Sequence, residues 1–267
     1  IEELDLNNHI KRFLNAYLRG RQTFVEFRGA TSKFRKMKQG VPQGGVLSPV
    51  LFNLYMSKMP PPPPGIKVDT YADDTTVLKS GPTPKALYQD LNNYLSVLDS
   101  WFKERNLFIS PAKSSATLFT THPHEVKMTL DIKINEDQVP TVSHPKLLGV
   151  TFDNTFSFLY HVNNTQTKLQ KRNNLLKKLA GSSWGKDHET LNMTYKAIGQ
   201  SLTNYCSPIW TPNLKQCNWD KLQSAQNSAL RIVTGCVQMT PINHLHQECK
   251  VMPVKDHNEM LSQQFLH

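Results

Sequence analysis

Apolar residues near the start of the chain return at helical spacing. Ile10, Phe13, Leu14, Tyr17 and Leu18 share one face, and Gly20 is placed as a C-cap. The period then drops to two. Thr23, Val25 and Phe27 alternate with Phe24, Glu26 and Arg28, which predicts a strand turned by Gly29, with a return strand over 34–37. Ser48 and Pro49 predict a second helix, the serine as N-cap and the proline at the first helical position, with an apolar face of Val50, Leu51, Leu54 and Tyr55. The proline run 60–64 ends that helix and makes a stiff connector. Two short β-prone runs, 66–70 and 75–78, flank Ala72-Asp73-Asp74 and predict a hairpin with acids at its tip. Thr83-Pro84 opens a long helix with Leu87, Leu91, Leu95, Leu98 and Phe102 facing inward. Strands are predicted at 117–120, 128–134 and 147–152. From about 156 the pattern is helical again. Val162, Leu169, Leu176 and Leu179 mark one helix, Leu191, Tyr195, Ile198 and Leu202 another, and Leu222, Ala229 and Val233 a less regular third. The pattern therefore predicts a mixed α+β unit over 1–155 and a helical unit over 156–267, with no internal repeats.

Length and composition narrow the classes. A chain of 267 residues with 38% hydrophobic content can bury a real core. No apolar run approaches the roughly 20 residues that span a bilayer, so no membrane partner is expected. The opening Ile1-Glu2-Glu3-Leu4-Asp5 is acidic, unlike a signal peptide, and lacks an initiator Met, so a truncated or processed chain is expected. The four cysteines include no CxxC pair. Cys236, His244, His246 and Cys249 can be drawn as a metal site, but their spacing fits no common finger and buried free cysteines are ordinary. Reduced thiols fit an intracellular protein, nuclear or cytoplasmic.

Charge adds a partner. Lys plus Arg number 31 against 21 Asp plus Glu, a formal +10. That balance suits a polyanion, and it also suits a basic protein with no such partner. The distribution is more telling. Between Glu26 and Asp69 no acid occurs, and between Asp153 and Asp187 none occurs again, while lysines and arginines fill both stretches. Two one-signed stretches suit surfaces that flank nucleic acid.

Two segments carry candidate chemistry. The first is Tyr71-Ala72-Asp73-Asp74. Adjacent carboxylates repel unless a cation sits with them, and a divalent ion that takes oxygen ligands is the natural one. Taken alone, the pair reads equally as a turn. The second runs from Gln39 through Gly40, Val41, Pro42, Gln43, Gly44 and Gly45 to Ser48-Pro49. Its glycines and proline fix an unusual backbone that lets another chain come close, and Gln43 offers both a donor and an acceptor. Alone, this segment reads as a glycine-rich loop before a helix.

Together, a QGVPQG loop, a Ser-Pro helix start and YADD on a hairpin resemble the reverse transcriptase family. The fit is close to non-LTR retrotransposon enzymes of the jockey-like kind, over Gly40 to Tyr55 and Tyr71 to Asp74. Downstream, Ser110-Pro111-Ala112-Lys113 resembles the next family motif, with Ser110 in place of the usual Asn. Leu147-Leu148-Gly149-Val150 resembles the segment that grips the primer, and reads equally as a core strand. The resemblance implies a partial polymerase palm, an antiparallel sheet plus helices, over 1–155, and an α-helical thumb and post-thumb region over 156–267. It implies RNA-directed DNA synthesis with Mg²⁺ (or Mn²⁺) held by Asp73 and Asp74. Lys113 would assist the leaving group; Pro42, Gln43 and Gly44 would line the nucleotide and template side; Leu148 and Gly149 would bind primer. Its partners would be an RNA template, a DNA primer and deoxynucleotides. The family's first catalytic aspartate and its fingers have no counterpart here, since Asp5 lacks the Phe-Asp context. The expectation is a fragment, weak or inactive alone. The alternative is a non-catalytic, nucleic-acid-binding remnant of a transposable element.

Overall fold

The computed structural model describes residues 5–181 and 185–266. Two compact units divide the chain, the first ending at Phe108 and the second beginning at Ile109.

The first unit opens with α1 (Asn8–Leu18), whose N-terminus is capped by the Asn7 side chain accepting from the His9 amide. A ribbon follows. β1 (Gln22–Thr23) pairs with β4 (Arg35–Lys36), and β2 (Glu26–Phe27) pairs with β3 (Ala30–Thr31). Arg28 and Gly29 both take positive φ at its tip, +50° and +80°, the handedness that a two-residue hairpin loop requires. This is the predicted hairpin, yet every residue of it is solvent-exposed, so its alternation does not mark a core face.

Next come α2 (Ser48–Met56), the proline connector, and the hairpin of β5 (Ile66–Tyr71) with β6 (Asp74–Lys79). α3 (Pro84–Glu104) starts with proline in its first turn. Its Leu87, Tyr94, Leu98, Trp101 and Phe102 are the main buried side chains of this unit, joined by Leu14 and Ile66. The connector is tied to that helix by the Tyr94 hydroxyl, which donates to the Pro60 carbonyl at 2.9 Å. The expected N-cap role of Ser48 is corrected. Leu47 occupies the cap and Ser48 lies in the first turn, its hydroxyl donating instead to the Pro42 carbonyl.

The second unit begins with short pairings. β7 (Lys133–Ile134) pairs with β8 (Asp137–Gln138), and β9 (Lys146–Leu147) with β10 (Val150–Thr151). The strands predicted at 117–120 and 128–132 form no ladder, although Leu130, Ile132 and Ile134 do bury on alternate positions. The strand predicted over 147–152 is broken by a tight turn at Leu148 and Gly149. Among the described residues, every sheet is a two-stranded antiparallel pair. The architecture is thus mixed helix with small antiparallel sheets, compatible with the α+β expectation.

Helices dominate from Leu159. They are α4 (Leu159–Leu179), α5 (His188–Tyr195) running through a π-helical turn (Lys196–Gln200) into α6 (Ser201–Asn204), α7 (Ser207–Trp210), α8 (Gln216–Thr234), α9 (Ile242–Cys249) and α10 (Val254–Leu266). α8 packs along α4 and is central rather than marginal. One cluster joins Val162, Leu169, Trp210, Trp219 and Leu222; another joins Leu176, Leu191, Tyr195, Leu230 and Val233. The buried Asn173 side chain of α4 donates to the Ala225 carbonyl of α8 at 2.9 Å, so the polar group in that seam is satisfied. No described helix is long and apolar enough to cross a membrane.

Candidate active site

The acidic tip is built by strand pairing. β5 and β6 stay in register from Ile66 opposite Lys79 to Tyr71 opposite Asp74, so the loop is only Ala72 and Asp73. Ala72 sits at φ +53°, a left-handed conformation at the first loop position that suits the strand twist. Asp73 therefore stands in the turn and Asp74 begins the returning strand. Both are exposed, and neither forms an ion pair among the described residues. Two neighbouring, unpaired carboxylates supply the hard oxygen donors that a magnesium-like ion prefers. Among the described residues, no group of three or more His, Cys, Asp or Glu side chains converges as a metal site.

The loop before α2 belongs to the same unit. Gly40 and Gly44 each take φ +80°, so both positions favour glycine. At Gly45 the surroundings are tight. A Cβ there would lie 2.5 Å from the Tyr17 hydroxyl, 2.8 Å from the Ser48 hydroxyl and 3.3 Å from the Pro42 carbonyl. The loop is fastened at both ends. Arg21 donates to the Gly40 carbonyl, and Ser48 to that of Pro42. Backbone turns close it further, with the Gly45 amide donating to Pro42 at 3.2 Å and the Ser48 amide to Gly45 at 3.1 Å. These anchors leave Gln43 and Gly44 exposed at the bend, while Pro42 is half-buried.

Lys113, Leu148 and Gly149 fall in the second unit. Lys113 is exposed on a turn in which its amide donates to the Ser110 carbonyl at 3.1 Å and the Ser114 hydroxyl to the same oxygen at 2.9 Å. The serine that stands in place of the family's Asn thus anchors the turn through its backbone. Leu148 and Gly149 take φ of +45° and +88° and form the β9–β10 turn. The Tyr205 hydroxyl donates to the Leu148 carbonyl at 2.7 Å, and its ring lies 3.1 Å from where a Gly149 Cβ would be.

Three supporting residues gave no clear sequence signal. Arg21 and Tyr17 act through the fold, far in sequence from what they touch. Asp153 is buried and gathers the loop before α4, accepting from Thr155, from both groups of Ser157, and from the Phe158 amide at 2.6 Å. Burial opposes its charge, but the Ser157 amide, the Thr155 and Ser157 hydroxyls and the Thr155 amide outweigh that, and the carboxyl titrates below its usual range. The spacing of Thr and Ser two and four residues after the Asp was its only trace. Of the four residues that could be drawn as a metal site, Cys249 is buried and His246 half-buried, while Cys236 and His244 are exposed. His246 meets the Val251 carbonyl at 2.8 Å and Gln223 at 3.2 Å, and burial pushes the Cys249 thiol up to about 11.

The first unit thus carries both the acidic hairpin tip and the glycine-proline bend, and residues 2–152 match the reverse transcriptase (RNA-dependent DNA polymerase) family. The chain belongs to that family. Three of its relatives are transposable-element proteins of Drosophila melanogaster. It is 27% identical to the probable RNA-directed DNA polymerase from transposon BS, over 91% of this chain and 27% of that protein. It is 29% identical to the probable RNA-directed DNA polymerase from transposon X-element, over 91% and 27%. It is 25% identical to the RNA-directed DNA polymerase from mobile element jockey, over 95% and 28%. The chain thus spans about a quarter of the length of these relatives. No solved structure matches it significantly.

Proposed function

We propose that this chain is the palm and thumb portion of a retrotransposon reverse transcriptase, copying an RNA template by extending a DNA primer with deoxynucleotides. The palm covers 1–155 and the thumb and post-thumb region 156–267. The observation that carries the reading is the unpaired Asp73–Asp74 tip in the same unit as the anchored Gly40–Gly45 bend.

Asp73 binds a divalent ion, Mg²⁺ or Mn²⁺, and Asp74 binds or supports it. When bound, such ions lower the cost of the charge that develops on the attacking and leaving oxygens. Pro42, Gln43 and Gly44 line the nucleotide and template side. There the bare backbone at Gly44 permits close approach, and Gln43 offers a donor and an acceptor. Lys113 donates a proton to, or neutralises, the departing pyrophosphate. Leu148 and Gly149 hold the primer strand through a turn that Tyr205 fixes from behind.

Two carboxylates make half of the usual two-metal cradle. Primer extension on an RNA template with Mg²⁺ is therefore expected to be weak or absent for these 267 residues alone. Robust synthesis by the chain would contradict this. Asp73→Asn separates enzyme from binding remnant: any synthesis disappears while nucleic-acid binding stays.

A further inference from the structure

The β1–β4 ribbon is an arm that contributes nothing to the core. Residues 22–40 are all exposed, and an isolated two-stranded hairpin is marginal in water without a partner. Yet its base is fastened. The Arg21 guanidinium donates to the Leu18 carbonyl at 3.1 Å and also to that of Gly40, and the Met37 amide donates to the Arg21 carbonyl at 2.8 Å. The arm is thus held beside the bend that begins at Gly40.

Its surface combines two features. From Arg19 to Lys38 there are seven basic residues and one acid, Glu26, and none of the seven forms an ion pair among the described residues. Aromatic rings stand among them. Phe24 and Phe34 pair across the strands at 4.9 Å with 44% and 66% exposure, and Phe27 is 68% exposed beneath the Arg28 guanidinium, which lies 5.3 Å from its ring centre. The register explains the pairing. Thr23 faces Arg35, but Glu26 faces Thr31, so the return strand carries one extra residue. Val25 and Ser32 bond each other in both directions at 2.9 Å, leaving Lys33 as the bulge.

We propose that this ribbon is a binding surface for a single strand of nucleic acid. Cationic side chains track the phosphates, and exposed rings stack on unpaired bases, a combination that a fully stacked duplex does not use. The proposal deepens the polymerase reading and rests on it only for taking the strand to be the template.

The test is fluorescence anisotropy of the 267-residue chain with a labelled single-stranded RNA and with a duplex RNA, across a salt series. Phe24→Ala with Phe34→Ala is expected to weaken single-strand binding by about tenfold or more and to leave duplex binding unchanged. Arg35→Gln with Lys36→Gln is expected to flatten the salt dependence, by about 0.7 in log–log slope for each phosphate that is no longer neutralised. Far-UV circular dichroism and the melting temperature should not move, because the ribbon buries nothing. Wild-type single-strand affinity in the ring variant, or an equal weakening on duplex, overturns the proposal. Metal binding at Asp73 and Asp74 is read separately and does not involve these rings, so failure here is distinguishable from failure of the polymerase assignment.

Discussion

At the scale of single residues, Gly45 is the tightest point of the site. Three oxygens converge where its side chain would be, from Tyr17 on α1, from Ser48 on α2 and from Pro42 in the bend. Gly45→Ala should cost about 1–3 kcal/mol, in the range of an overpacked core. Tyr17→Phe removes the nearest oxygen, so adding it to Gly45→Ala should recover part of the stability in urea unfolding. No recovery would mean that the Tyr17 hydroxyl is not what makes glycine necessary. The presence of glycine here was legible in the sequence, but its reason was not. The nearest of the three oxygens belongs to Tyr17, 28 positions upstream on α1.

At the scale of elements, periodicity served long segments and failed short ones. α1, α3 and α4 were legible because their apolar residues recur over several turns, and the acidic hairpin because a symmetric pair of β-prone runs brackets it. α9 and α10 were missed: a proline, Pro241 or Pro253, stands directly before each, where Ser, Thr, Asp or Asn would announce a helix. The 147–152 strand failed because a Leu-Gly pair lacks the Asn-Gly signature of the turn it makes. The Asp153 cluster was likewise hidden, yet it sets the junction into α4, where acid should act first. Behind it, His161 accepts from the Thr151 amide at 3.2 Å and lies against Trp210, its ring 5.1 Å away. Burial first, and the Lys168 charge second, push its pKa down to about 4. The folded pKa is below that of the unfolded chain, so the contribution is intact above about 6.5 and is lost as pH falls toward 4. Asp153, also depressed, extends the loss further into acid. Between pH 6.5 and 4 the His161 contribution alone should amount to about 3 kcal/mol. A melting-temperature series over that range should fall steeply for the native chain and less steeply for His161→Gln. Equal slopes would show that His161 does not set the acid limit.

At the scale of the whole molecule, the two units carry different parts of one proposed reaction. The first holds the acidic tip and the bend; the second holds Lys113 and the Leu148–Gly149 turn, both ahead of its helices. Family membership was legible from Gln39 to Asp74, where the residue types serve chemistry and backbone shape rather than burial. The division at Phe108 was not, because compactness depends on long-range packing that no local period records. The proposed chemistry requires Asp73 and Asp74 to form a divalent-ion site. It is tested most directly by Mn²⁺ titration of the chain followed by electron paramagnetic resonance. Saturable binding is expected, abolished by Asp73→Asn and weakened by Asp74→Asn, with circular dichroism unchanged. Binding that survives Asp73→Asn undiminished, or no saturable binding by the native chain, would contradict it.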